Sequence, residues 1–407
     1  MVFADGNLWF FREQNNSRKM FRQDHFLKLK IKVGRFEMFV RFVRMKTFKP
    51  PHFLIYMAFL MICGICFSQS RIEKAHQKTQ KLAEKFLSKS HIPGMSVSVN
   101  INDTLVFSEG FGFSDLENKT AVMPSQTRFR MASITKTMTA ATLAKLSELN
   151  KVDLKKSVYF YLDSLPKKPF DFTIEEVGGH LSGLQRTAST EKYTCDNPYK
   201  RSDFYKIFDL DPLSFQPSSS FQYSNYGYKL LGLVIEKITG ESVVENNKKY
   251  IIDAIGLKNT VPETKIKDPF VSKFYTELRD KFVEAPCLDC TFRYAPGCYL
   301  STSEDLVVLG NAYLYPDRIL KKETLIQIIK SKKLRNGPKT NYGFGFMTYT
   351  DGNGNYFYGH NGGYEGSRSA LRIYPKNKMV IAVLTNCTVE NIDDFIAEIA
   401  YNYIADK

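Results

Sequence analysis

Strand-forming segments lie at both ends of this chain, and helix-forming segments fill its middle. On the N-terminal side, Met95-Ser-Val-Ser-Val-Asn-Ile alternates apolar and polar residues. Asn102-Asp103 turns the chain and Thr104-Leu-Val-Phe-Ser returns it, which reads as a hairpin. On the C-terminal side, strand signals recur at 343–350, 356–359, 367–374 and 379–385. From about 133 to 330, helical periodicity dominates, broken by Pro- and Gly-rich connections. An amphipathic helix is expected over 71–88, and a last helix from Asn391 to about Ile404. The pattern predicts an α+β fold: one antiparallel sheet built from both chain ends, flanked by the terminal helices, with a mostly helical insert. A cleft is expected between sheet and insert.

Charge sets the outer limits of function. The 407 residues carry a formal +15, which invites a nucleic-acid or anionic-membrane reading. Position decides against the first. Residues 1–44 hold ten Lys/Arg against four Asp/Glu, and residues 45–70 hold two Lys and no acid. The 337 residues from Arg71 onward keep only +7, with no block of like charge, so a nucleic-acid surface has no support there. From Met45 the chain reads MKTFKPPH, then a 15-residue apolar stretch at 53–67, then Ser-Gln-Ser. A basic start, an apolar centre and a polar exit form a signal peptide, and the apolar stretch is short of the ~20 residues of a spanning helix.

Three segments follow. Residues 1–44 are a basic upstream extension, whose position ahead of a signal peptide points to Met45 as the true start. A mitochondrial-type targeting extension is the other reading, which Asp5, Glu13, Asp24 and Glu37 fit poorly. Residues 45–70 are a signal peptide or signal-anchor, and 71–407 are the working domain. The expected destination is export, periplasmic or extracellular; anchoring by residues 53–67 is the alternative and the sole expected membrane contact. Beyond the apolar stretch lie Cys195, Cys287, Cys290, Cys298 and Cys387. Cys287-Leu-Asp-Cys290 has metal-type spacing but no second pair and no nearby His, so a local disulfide or buried thiols is expected rather than zinc.

Three short motifs carry candidate chemistry. Ser133-Ile-Thr-Lys136 opens an apolar helix, which places Ser133 in the first turn and Lys136 one turn along the same face. A serine nucleophile needs a proton acceptor, and a lysine shielded from water has its pKa lowered enough to serve. The two other Ser-x-x-Lys matches lack this setting: Ser164 to Lys167 contains Pro166, and Ser189 to Lys192 has no apolar helix after it. Tyr223-Ser-Asn225 precedes a helix over 228–238, and residues two apart on an extended segment share a side. Gly359-His360-Asn361-Gly362-Gly363 has glycines that let backbone N–H groups approach a ligand, with His360 facing the cleft. Singly, each has a structural reading: a helix-start serine, a core tyrosine with a capping asparagine, a glycine-rich turn.

Together and in this order, the three motifs resemble the serine beta-lactamase and penicillin-binding protein superfamily. The nearest branch is the class C-like one, with D-Ala-D-Ala carboxypeptidases, carboxylesterases and the mitochondrial beta-lactamase-like serine protease. Flanking segments agree, including Gly179-His-Leu-Ser-Gly-Leu184 and Pro296-Gly-Cys-Tyr-Leu-Ser-Thr-Ser-Glu-Asp-Leu306, and the resemblance covers about 80–405. It implies Ser133 as acylated nucleophile, Lys136 as base or proton shuttle, and Tyr223 as general acid/base. Asn225 would bond Lys136 and the substrate amide. The N–H of Ser133 and one near Gly362 or Gly363 would hold the oxyanion, with His360 and Asn361 beside the substrate. His360 stands where beta-lactamases carry a lysine, which weakens a dedicated beta-lactamase. His180 reads as structural, in a turn between helices. The implied activity is acyl-enzyme hydrolysis of a peptide, amide, ester or beta-lactam, with no cofactor or metal. The expected partner is a small molecule or peptide, a peptidoglycan stem peptide among the options. The rival is a non-catalytic penicillin-binding sensor or scaffold of the same fold.

Overall fold

A computed structural model describes residues 71–187, 195–196, 198–264 and 268–404, with the backbone of short stretches at 2–4, 7–9, 26–33 and 36–43. The signal-peptide reading of 45–70 lies outside the described residues. Among the described residues no helix is long and apolar enough to cross a membrane. The N-terminal stretches form two antiparallel hairpins, Val2–Ala4 with Asn7–Trp9 and Phe26–Val33 with Phe36–Val43. Residues Ala75–Ile404 make one compact unit.

A seven-stranded antiparallel sheet organises that unit. Its strands are β1 (Gly94–Ile101), β2 (Thr104–Asp115), β3 (Thr120–Ala121), β4 (Met347–Thr350), β5 (Tyr356–Tyr364), β6 (Ser367–Tyr374) and β7 (Met379–Thr385). The spatial order is β4-β5-β6-β7-β1-β2-β3. The seam β7–β1 runs from Met379 opposite Ile101 to Thr385 opposite Met95, and it joins the two chain ends.

Period-two alternation divides the core into two layers. On β7, Val380, Ala382 and Leu384 point into one cluster with the insert helices. Met379, Ile381 and Val383 point into the other, with Ala83, Phe395, Ile396 and Ile399 of the terminal helices α1 (71–89) and α5 (Ile392–Ile404). Both faces are covered, so β7 reads as a near-continuous apolar run despite being antiparallel. Phe86 and Phe395 stack at 4.1 Å and fasten the terminal helices together.

The insert face is built around α2 (Thr135–Glu148), α3 (Asn225–Thr239) and α4 (Ser303–Leu314). Helix α4 lies directly on the sheet, where a side chain at Gly310 would run into Val380. Helix α2 is enclosed on all sides: from Met131 to Ala144, Ser133 is the one residue that is not buried. That explains why its sequence shows no polar face.

Several local expectations change. Ser133 sits in a separate 3-10 turn, Ala132–Ile134, just ahead of α2. The glycine-rich stretch after Gly359 is not a turn; β5 continues through it to Tyr364. Glycines hid the alternation there, because they carry no apolar signal. Strand β4 begins only at Met347, since Gly343 and Gly345 press against Ile328, Ala140 and the Lys136 carbonyl. The helical middle also holds short strands at Val261–Pro262, Tyr275–Leu278, Lys281–Glu284 and Tyr299–Ser301. Cys287 and Cys290 do not pair with each other: the disulfides are Cys195–Cys287 and Cys290–Cys298, leaving Cys387 as a buried thiol.

Candidate active site

The 3-10 turn bearing Ser133 lies against β5. Ala132 has φ +45°, a left-handed conformation that is costly for a residue with a Cβ. A Cβ at Gly362 would lie 2.5 Å from the Met131 carbonyl and would also strike Ser369 Oγ, so only glycine lets the strand come this close. Ser369 Oγ–H donates to the same Met131 carbonyl at 2.8 Å and pins the turn to the sheet.

Lys136 is fully buried, and its Nζ meets three partners: Ser133 Oγ at 2.9 Å, Asn225 Oδ1 at 2.8 Å and the Pro296 carbonyl at 2.9 Å. Desolvation holds its pKa well below the ordinary lysine value. Two of the three partners only accept. A neutral amine has two N–H groups and one lone pair, so those groups go to Asn225 and Pro296 and the lone pair faces Ser133. Losing one proton therefore turns Lys136 from a donor to Ser133 into an acceptor from it, with no atom moving.

Tyr223 and Asn225 are both partly exposed, with buried Ser224 between them, so the two share the cleft side. Ser224 caps α3, accepting from Gly227 N–H at 2.8 Å and donating to the Gln185 carbonyl at 2.6 Å. The Tyr223 hydroxyl is in hydrogen-bonding contact with Ser133, and burial raises the phenol's pKa. Its ring lies 4.9 Å from Lys136 Nζ.

Strand β5 completes the wall. Arg368 on β6 turns its N–H and C=O toward Thr385 of β7, so the Gly363–Arg368 pair is not hydrogen-bonded. Gly363 N–H therefore points away from β6, to the edge of β5 that β4 leaves uncovered beyond Gly359. His360 is buried with its ring 6.0 Å from that of Tyr223. Tyr342 O–H donates to His360 Nε2 at 2.9 Å, and His360 Nδ1–H donates to the Asn361 carbonyl. Burial and the nearby lysine push its pKa down to about 3, so it is a neutral ring with both nitrogens engaged. Asn361, one residue on, faces the other way: its amide bonds Asp393 of α5 and Arg372, on the opposite side of the sheet.

Ser133, Lys136, Tyr223 and Asn225 thus meet beside Gly362 and Gly363. His360 stands behind Tyr223 rather than open to the cleft, and the Asn361 side chain is outside the site. Two contributors were not singled out from sequence, and a third was given only a structural part. The Pro296 carbonyl and the Tyr342 hydroxyl are placed by tertiary packing alone. His180, read as structural, holds its ring tilted against that of Tyr223 with centroids 4.4 Å apart.

A sheet joined from both chain ends, with a helical insert presenting a serine to a desolvated lysine at the sheet edge, is the arrangement of the beta-lactamase-fold hydrolases. Residues 79–405 match the family described as Beta-lactamase, and the chain belongs to it. Among its relatives is the human serine beta-lactamase-like protein LACTB, mitochondrial, 27% identical over 326 residues, a match covering 62% of this chain and 58% of that protein. The chain therefore spans less than two thirds of that relative's length. The octameric penicillin-binding protein homologue from Pyrococcus abyssi superposes with a TM-score of 0.69 at 25% identity, covering 79% of this chain and 76% of that one. The D-amino acid amidase from Ochrobactrum anthropi SV3 shares the fold, with a TM-score of 0.70 at 19% identity over 82% of this chain and 99% of that one.

Proposed function

We propose that this protein is a serine hydrolase that works through an acyl-enzyme on Ser133. The observation that carries the reading is the lysine whose two acceptor-only partners leave its lone pair for Ser133. Lys136 takes the Ser133 proton as Oγ attacks the substrate carbonyl. The N–H groups of Ser133 and Gly363 hold the oxyanion. Tyr223, bridging to Ser133, gives its own hydroxyl proton to the leaving group; it then takes the proton of the water that attacks the ester, while Lys136 returns its proton to the departing Ser133 Oγ. The substrate class is an ester, amide, peptide or beta-lactam. Two disulfides in the described residues fit an oxidising compartment, which supports export through residues 45–70.

A fluorophosphonate is expected to label the peptide containing Ser133. A panel of a short-chain nitrophenyl ester, a D-Ala-D-Ala peptide and a chromogenic cephalosporin is expected to give turnover with at least the ester. Stable labelling without turnover of any panel member would favour the sensor reading instead, and labelling elsewhere would remove Ser133 from the mechanism.

His360 bears on selectivity. A neutral imidazole with both nitrogens taken offers no charged donor to a substrate carboxylate. Uncharged esters are expected to exceed their carboxylate-bearing analogues in kcat/KM by roughly tenfold, the worth of one charge-assisted hydrogen bond. Matched substrate pairs measure this, and a preference for the carboxylate form would show another anion site.

A further inference from the structure

The segment bearing Tyr223 is held from both sides by a residue that touches no reacting atom in the proposed mechanism. The His180 carbonyl accepts from Gln222 N–H at 3.1 Å, and His180 Nδ1 accepts from Ser224 N–H at 3.1 Å. These are the two neighbours of Tyr223 in the chain. Between those bonds the imidazole lies against the Tyr223 ring at 4.4 Å, with Tyr342 at 4.6 Å behind it.

Two costs attach to this arrangement. His180 has φ +63°, in the left-handed region that disfavours residues with a Cβ. Because Nδ1 accepts, the proton is on Nε2, and that atom is buried with no hydrogen-bond partner. A buried orphan donor is unfavourable, and an aliphatic residue at 180 would avoid it. What an aliphatic residue lacks is the acceptor for Ser224 N–H. Burial keeps the ring neutral, so Nδ1 stays available as that acceptor.

We propose that His180 is the positioning residue for Tyr223, setting the phenol against Ser133 through the two backbone bonds that flank it and through ring contact. The proposal rests on Tyr223 carrying protons for Ser133.

Three variants of the full chain test it: His180→Phe, His180→Asn and Tyr223→Phe, with the double variant His180→Phe/Tyr223→Phe. Phe keeps a ring but has no acceptor. Asn supplies an acceptor near the place of Nδ1 and tolerates φ > 0. With a nitrophenyl ester, His180→Phe is expected to lose about 10- to 100-fold in kcat with KM within about threefold, and His180→Asn to recover most of that loss. In the Tyr223→Phe background, His180→Phe is expected to cost less than about threefold more, because the group it positions is already gone. Folded protein is confirmed by near-ultraviolet circular dichroism. Native kcat in His180→Phe, or losses that multiply in the double variant, would overturn the proposal. Should His180→Phe not fold, a His180→Asn variant with a loss as large as that of Tyr223→Phe would overturn it as well. Full activity in Ser133→Ala would instead remove the underlying reading, and this one with it.

Discussion

Replacing Lys136 with Met is expected to lower the acylation rate of Ser133 by about 10³- to 10⁴-fold, near the upper range for loss of a general base. Met fills most of the volume, so the enclosed α2 has little reason to move. What disappears is the lone pair facing Ser133 Oγ, and with it the acceptor for the serine proton. Stopped-flow acylation with a nitrophenyl ester reads the effect, and a residual rate above about one tenth of native would move the base role to Tyr223. The pH dependence follows from the same burial. Desolvation lowers the lysine's pKa well below its ordinary 10.5, so the neutral amine is present at lower pH than on a surface lysine. Acylation should rise with pH through that lowered value and then level off. Stability is linked with the same sign. Between the lowered folded pKa and 10.5 the unfolded chain binds the proton more strongly, so this group's contribution to folding is present above 10.5 and is lost as pH falls through the folded value. The site therefore holds its base at some expense to the fold, as strained functional positions commonly do.

The parts of the molecule legible in sequence are those where side-chain pattern and burial coincide. Residues 367–374 and 379–385 match β6 and β7 in extent, because β7 is apolar along nearly its whole length, β6 closes on Leu371, Ile373 and Tyr374, and a turn at 375–378 separates them. Helix α5 begins one residue from the position expected. Ser133 and Lys136 were legible because their one-turn spacing at a helix start stands in order with the Tyr223 and His360 motifs. The parity of β5 was not legible: the strand signal stops at Gly359 in the sequence, so nothing there showed that 360 and 362 face one way and 361 the other, away from the cleft. What could not be read was backbone chemistry and cross-chain partnership. The Pro296 carbonyl reaches Lys136 across 160 residues of sequence, and Tyr342 closes over His360 from a loop between helix and strand. A carbonyl carries no residue-type signal, and a tyrosine in a loop looks alike whether it caps a histidine or fills a core. The cysteines show the same limit. CxxC spacing implied a local unit, whereas Cys287 is bonded to Cys195, 92 residues away, and Cys290 closes the short loop that carries Pro296.

Placing a single methyl group on β5 is expected to disable the site without touching any of its side chains. In Gly362→Ala the new Cβ would lie 2.5 Å from the Met131 carbonyl and 3.0 Å from Ala132 Cβ, and would also strike Ser369 Oγ. Ser369 can rotate, but the Met131 carbonyl is backbone and the Ala132 Cβ has no rotamer to change, so the strand and the 3-10 turn must separate by several tenths of an ångström. Overpacking of this kind costs about 1–3 kcal/mol, which lowers the midpoint of unfolding but leaves the protein folded at 25 °C. The larger consequence is geometric. The turn carries Ser133 N–H and the strand carries Gly363 N–H, and an oxyanion between them needs both within hydrogen-bonding distance. Loss of one such donor lowers kcat by about 10²- to 10³-fold, and that is the expected size of the effect, with KM little changed because the oxyanion forms only in the transition state. Lys136 keeps its contacts with Asn225 of α3 and the Pro296 carbonyl, and a shift of a few tenths of an ångström leaves Ser133 within its reach, so the serine stays activated while the intermediate loses its support. A Gly363→Ala substitution is the comparison: its Cβ would meet the movable Arg368 side chain, whose nearest atom lies at 2.9 Å, and no backbone of the turn. Its kcat should fall by no more than about tenfold. If Gly362→Ala keeps native kcat, or if both variants lose activity equally, the oxyanion does not lie between the turn and β5, and the donors must be sought elsewhere along the cleft.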